Sequence, residues 1–204
     1  MATTFSQTAR IIAGVISISA LAALAVQSTL NLERDGSPLV AFALLFRYFT
    51  IWGNLAAGLV LGWIAIRGSI QRAVPFALAT ALAIIAVVYH LLLAADHFPV
   101  GWDWHTNQMH HTIIPATAIV WWIVFTGPQS GGWKSLPVVT IAPVIYTVFA
   151  LGYGYMSGFY PYFFLDVPQF GIAQVMLNII GLAIAFMLFG AALLGVRRAV
   201  SALA

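Results

Sequence analysis

The sequence contains no cysteine, which excludes a disulfide framework and a thiolate metal site. Charge is almost as scarce: 6% of the 204 residues are Asp, Glu, Lys or Arg, far below what a soluble domain carries. Eight basic residues scattered along the chain make no patch for nucleic acid. Soluble-hydrolase signatures are missing too, with no Gly-x-Ser-x-Gly elbow, no His-Glu-x-x-His and no glycine loop to cradle phosphate. No internal repeat and no linker divides the chain, so residues 1–204 read as one domain.

What is there is apolar. Hydrophobic residues make up 62% of the chain and its mean hydropathy is +0.99, which predicts an all-α integral membrane protein. Six apolar runs are long enough to cross about 30 Å of hydrocarbon; they lie near 11–30, 38–66, 73–95, 107–125, 136–156 and 170–196. Turn chemistry separates them at Asp35-Gly36-Ser37-Pro38, at Arg67-Gly68-Ser69, from Gly127-Pro128 to Gly132, and around Pro161 and Pro168. The first run follows Arg10 as a signal peptide would, but about 20 apolar residues exceed the usual h-region of about 7 to 15, so a retained helix is expected. On a six-helix serpentine Arg10, Arg67, Arg72, Lys134, Arg197 and Arg198 fall on one side, and Glu33, Asp35, Asp96, Asp103 and Asp166 on the other. The positive-inside rule then makes both termini cytoplasmic, puts the 96–106 loop outside, and predicts a multi-pass protein of the cell (inner or plasma) membrane.

Polar groups inside the apolar runs mark where function would sit. Arg47-Tyr48-Phe49-Thr50-Ile51-Trp52-Gly53-Asn54 carries an arginine, a hydroxyl and an amide. An arginine at the middle of a spanning helix costs about 2.5 to 3.5 kcal/mol on an insertion scale. In an unbroken helix Arg47, Thr50 and Asn54, at i, i+3 and i+7, share one face. Counting up from the inner helix ends at about 1.5 Å per residue puts Thr50 at about 25 Å, His90 at about 27 Å and His111 at about 21 Å. Gln27, Tyr153 and Asn178 fall in the same outer layer, where each by itself reads as packing glue between helices. No carboxylate lies inside any run, so Arg47 is expected to pair with an outer-loop acid, Asp166. A second polar stretch, Asn107-Gln108-Met109-His110-His111-Thr112-Ile113-Ile114-Pro115, opens the fourth run. Adjacent histidines point about 100° apart, so only one readily faces a site shared with the second helix. Asn107, four residues before His111, can orient it, and Pro115 leaves the His111 carbonyl without its helical donor.

These residues carry a resemblance. Arg47-Tyr48-Phe49-Thr50, the His111-Thr112-x-x-Pro115 of the fourth run, and Tyr160-Pro161-Tyr162-Phe163-Phe164-Leu165-Asp166-Val167 followed by Leu177-Asn178 resemble a group of prokaryotic six-helix membrane proteins. The likeness runs from about Phe42 to the C-terminal end. That group is similar to the androgen-induced and androgen-dependent membrane hydrolases of animals. Shared with those enzymes are a threonine after an aromatic or apolar pair in the second helix and a histidine before a proline in the fourth. The resemblance implies an intramembrane esterase that cleaves fatty acid esters of hydroxy fatty acids, with Thr50 as nucleophile and a histidine as its base. Counting back from Pro115 selects His110, whereas counting forward from Asn107 selects His111, the position that also matches the prokaryotic pattern.

The chemistry fits such a role. A threonine hydroxyl needs a neighbouring base, for which neutral imidazole is the usual group. Arg47 or Asn54 can stabilise the oxyanion, and the imidazole can return its proton to the leaving alcohol. A lipid or fatty-acyl ester is then the substrate, and neither cofactor nor metal is called for. The competing reading is a haem- or metal-binding membrane protein in which His90 and His110 or His111 are the ligands. A non-catalytic scaffold or transporter is the third reading, although the sequence lacks the paired halves of a transporter.

Overall fold

A computed structural model describes residues 2–127 and 132–203, and nearly all of them are helical. In chain order the helices are α1 (Gln7–Asp35), α2 (Pro38–Phe46), α3 (Phe49–Arg67), α4 (Ala73–Val88), α5 (Trp102–Gln108), α6 (Ile114–Phe125), α7 (Ile141–Ser157) and α8 (Val167–Leu203). Five helical stretches are long and apolar enough to cross a membrane: Gln7–Asp35, Phe49–Arg67, Ala73–Asp96, Trp133–Ser157 and Val167–Leu203. Large apolar side chains cover the outside of the bundle, among them Ile18, Ile66, Val148 and Leu188. A soluble protein would hide such a surface, and hydrocarbon accepts it. The expected turn from Gly127 to Gly132 falls largely on residues 128–131, outside the described residues.

Small side chains hold the first layer together. One face of α1 buries Ala9, Ala13, Ser17, Ala20 and Ala23, spaced three or four apart. It meets Ala57, Gly58 and Leu61 of α3, and the Ser17 hydroxyl donates to the Gly58 carbonyl at 2.6 Å. The fit is close: a Cβ on Gly58 would lie 2.6 Å from Leu21 Cδ2, and one on Gly62 2.8 Å from Ser17 Oγ. Without a hydrophobic force between helices in lipid, such backbone approach and packing supply the association. Around this pair α4, α6, α7 and α8 build a core of Phe76, Leu82, Trp121, Trp122, Tyr146, Phe186 and Leu194.

Several elements depart from the unbroken helices that hydropathy predicts. The second run, read as one helix over 38–66, is broken at Arg47-Tyr48, with Tyr48 in an extended conformation between α2 and α3. Arg47 therefore caps α2 and does not share the helical face of Thr50 and Asn54. The third run leaves α4 through a π-turn (Tyr89–Leu93) and a 3-10 turn (Ala94–Asp96). The fourth starts earlier than 107, as α5, and passes through a second π-turn (Met109–Ile113) before α6. The fifth opens with a 3-10 stretch, Trp133–Thr140, that accommodates Pro137, and α8 kinks at Gly171, which sits at φ 75. An all-α reading also misses a short antiparallel ribbon, β1 (Ala2–Thr4) with β2 (Ser69–Gln71).

Candidate active site

The break between α2 and α3 exposes backbone groups that no water inside a bilayer would satisfy. Aromatic side chains satisfy them instead. The Trp52 indole donates to the Phe46 carbonyl at 2.7 Å, the Tyr146 phenol donates to the Arg47 carbonyl at 2.6 Å, and the Phe49 N–H donates to the Tyr162 phenol oxygen at 3.1 Å. Thr50 is thereby fixed in the first turn of α3, buried, with its own hydroxyl and N–H beside the Tyr162 oxygen. Burial pushes the Tyr162 phenol up to about 12, so near neutral pH it keeps its proton.

One turn below, Asn54 is fully buried and ties α3 to the histidine stretch. In the second π-turn the Ile114 N–H returns five residues to the Met109 carbonyl. The next carbonyl in that register, of His110 and not of His111, faces the N–H that Pro115 lacks. Asn54 Nδ2 supplies the missing donor at 3.1 Å, and also donates to the Thr50 carbonyl at 2.9 Å. The amide is thus taken up by two carbonyls and is not a free oxyanion donor, as the sequence had suggested for Asn54. Its role is to hold the Thr50 turn at a fixed distance from the His110-His111 turn.

The two π-turns face one another. The Tyr89 ring stacks on the His111 imidazole, with centroids 3.8 Å apart and planes 17° from parallel. Asn107 Nδ2 donates to the Tyr89 hydroxyl at 2.6 Å, and His97 Nδ1 lies 3.3 Å from the same oxygen. Asn107 therefore positions His111 through Tyr89 and not by a direct hydrogen bond. Both ring nitrogens of His110 and Nδ1 of His111 are buried without a hydrogen-bond partner. No hydrogen bond joins either imidazole to the Thr50 hydroxyl in this resting arrangement.

Two cavities meet at this point. A narrow apolar one of about 40 Å³ runs into the bundle between Ile84, Ile85, Pro143, Leu182 and Phe186. A wider one of about 790 Å³ is lined by Gln27, Asn31, Arg34, Arg47, Asp103, Asn107 and His110. Thr50, Tyr89, Leu93, His111 and Tyr162 line both and form the constriction between them.

Other expected site residues lie elsewhere. Arg47 does not pair with Asp166: its guanidinium lies 3.9 Å from the centre of the Phe159 ring, while the Asp166 carboxylate accepts the Gln169 N–H at 3.0 Å and caps α8. A ring face and a helix start each offered these two charges a nearer partner than the other did. The one ion pair among the described residues is Arg34 with Asp103, 3.4 Å apart. Asn178 donates to the Phe164 carbonyl at 2.8 Å and anchors the loop before α8. His90 is exposed, bonds Thr112 Oγ1 at 3.0 Å, and lines neither cavity. Gln27 joins Asp103 and Thr106 at the wall of the wider cavity, whereas Tyr153 packs on Phe149. Sequence reasoning missed Tyr89, Tyr146 and Tyr162, because a tyrosine in a membrane protein reads first as an interfacial anchor. Comparison with protein-family models, with curated proteins and with solved structures finds no match to the chain.

Proposed function

We propose that this protein is an intramembrane hydrolase of lipid esters, with Thr50 as nucleophile and His111 as its base. The observation that carries the reading is the constriction: a buried hydroxyl and an imidazole line the same narrowing between an apolar cavity and a wider one that also presents charged and amide side chains. An ester joins a polar group to an apolar chain, and its carbonyl would lie at the narrowing with only the first carbons of the acyl chain directed toward the small apolar cavity. Apo geometry of a base and its nucleophile tightens when substrate arrives, and Nδ1 of His111 has no hydrogen bond to give up before it takes the Thr50 proton. His111 is favoured over His110 because His110 lines the wider cavity alone.

The reaction balances without a cofactor. Thr50 Oγ bonds to the acyl carbon while its proton passes to His111, and collapse of the tetrahedral intermediate expels the alcohol, which takes that proton. Water then attacks the acyl-threonine, His111 again moving the proton, and the carboxylic acid leaves with Thr50 restored. Six crossings with both termini cytoplasmic belong to the same proposal, the sixth being α5, its π-turn and α6. What supports that topology is the gathering of Arg10, Arg67, Arg197 and Arg198 near one end of the bundle, with Asp35, Asp103 and the wide cavity at the other.

The test is hydrolysis of long-chain acyl esters by purified protein in detergent. Thr50→Ala and His111→Ala should each abolish it, the double variant should be scarcely worse than either, and Thr50→Ser should keep part of it. His110→Ala should remain active. Full activity in a folded Thr50→Ala protein overturns the reading.

A further inference from the structure

We propose that Tyr162 is a catalytic residue of this site, its phenol O–H donating to the oxyanion that forms when Thr50 attacks. The inference rests on the hydrolase reading and supplies what that reading otherwise lacks. The Asn54 amide is committed to two carbonyls. The Arg47 guanidinium lies over Phe159 and lines the wide cavity alone. Tyr162 instead lines the constriction itself, with its oxygen beside the Thr50 hydroxyl. The oxyanion and Thr50 Oγ are bonded to one carbon in the tetrahedral intermediate, so a donor beside Oγ is within reach of the oxyanion when the carbonyl oxygen turns to its side.

The phenol is prepared for this in two ways. Its oxygen accepts the Phe49 N–H from the first turn of α3 at 3.1 Å, and that bond polarises the O–H toward donation. Its ring is fixed by stacking on Phe164, with planes 7° from parallel and centroids 5.3 Å apart, and by edge contacts with Tyr48 and Tyr146. The loop that carries it is anchored in turn by Asn178 on the Phe164 carbonyl. When Thr50 Oγ bonds to the acyl carbon and its proton passes to His111, the carbonyl π pair moves onto oxygen. The Tyr162 O–H bonds to that oxygen without giving up its proton, and the bond weakens again as the alcohol leaves.

A fluorophosphonate that esterifies a reactive hydroxyl, releasing fluoride, separates this proposal from the reading beneath it. Wild-type protein should form the phosphonyl adduct on the Thr50 peptide and hydrolyse a p-nitrophenyl acyl ester. Tyr162→Phe keeps the ring and should lose roughly a hundred-fold or more in kcat with KM little changed, as loss of one oxyanion donor does; because it also leaves the Phe49 N–H without its acceptor, its thermal midpoint should fall, and kcat is compared in protein held well below that midpoint. Fluorinated tyrosine at position 162, which retains the hydroxyl and the fold, should give a kcat that varies with phenol acidity; a merely structural tyrosine would not. Normal kcat in Tyr162→Phe, or a kcat indifferent to fluorination, overturns the role of Tyr162 and leaves the hydrolase standing. Absence of both adduct and hydrolysis in the wild type overturns the hydrolase itself.

Discussion

Asn54 and Tyr89 do the holding at the constriction, and neither needs to touch substrate to matter. Asn54→Leu is nearly the same size but leaves the His110 carbonyl buried without a donor, while the Thr50 carbonyl keeps only its helical one. Each unsatisfied group costs about 1 to 3 kcal/mol, so the thermal midpoint in detergent should fall clearly below wild type, and an unchanged midpoint would show that the two bonds contribute nothing. Tyr89→Leu removes the ring stacked on His111 and leaves Asn107 without its acceptor; ester hydrolysis should drop more steeply than stability. Thr50, Asn54, Asn107 and the paired histidines were legible in the sequence because a polar group within an apolar run needs a reason to be there. The tyrosines were not, since the phenol oxygens that matter meet backbone atoms far along the chain, Tyr146 on Arg47 and Tyr162 on Phe49. No local pattern encodes such a contact.

At the scale of elements, hydropathy located the apolar runs and misjudged their continuity. Nothing between Phe46 and Phe49 is glycine or proline, and the break there persists because one nearby indole, of Trp52, and two distant phenols, of Tyr146 and Tyr162, satisfy its backbone. The π-turn at Met109–Ile113 does have a sequence cause, Pro115, although the freed carbonyl is one residue earlier than an α-helical count gives. Pro115→Ala restores an N–H in competition with Asn54 and lets the turn regularise, which would rotate the two imidazoles away from Thr50. A helix-interior proline costs about 3 kcal/mol relative to alanine, so the variant should be at least as stable as wild type yet hydrolyse esters more slowly. Undiminished hydrolysis would mean that the π-turn does not aim His111. The α1–α3 contact is tested from the other side: Gly58→Leu drives a side chain into Leu21 and should cost about 1 to 3 kcal/mol or more, read as a lower thermal midpoint.

The whole molecule is divided between a tied end and an open one. At the first, Arg10 donates to the Ala65 and Ile66 carbonyls, the Trp121 indole donates to the Ala9 carbonyl at 2.8 Å, and the β-ribbon joins the N-terminal residues to the turn after α3. At the second lies the wide cavity, with Val100 and the Arg34–Asp103 pair at its wall. If the basic end is cytoplasmic, substrate and water enter from the outer surface, and the constriction lies below the outer headgroups, where ester bonds of lipids are found. A chain without cysteine makes that orientation directly measurable, because any single introduced thiol is the only one present. A membrane-impermeant maleimide should label Val100→Cys, in an exposed residue of the 96–106 loop, on intact cells. Ser130→Cys, a position outside the described residues, should be labelled only after the membrane is opened. The reverse pattern would invert the protein and move its chemistry to the inner leaflet. Labelling of both positions from outside would remove the crossing by α5, its π-turn and α6, and with it the requirement that His111 and Thr50 meet within the bilayer.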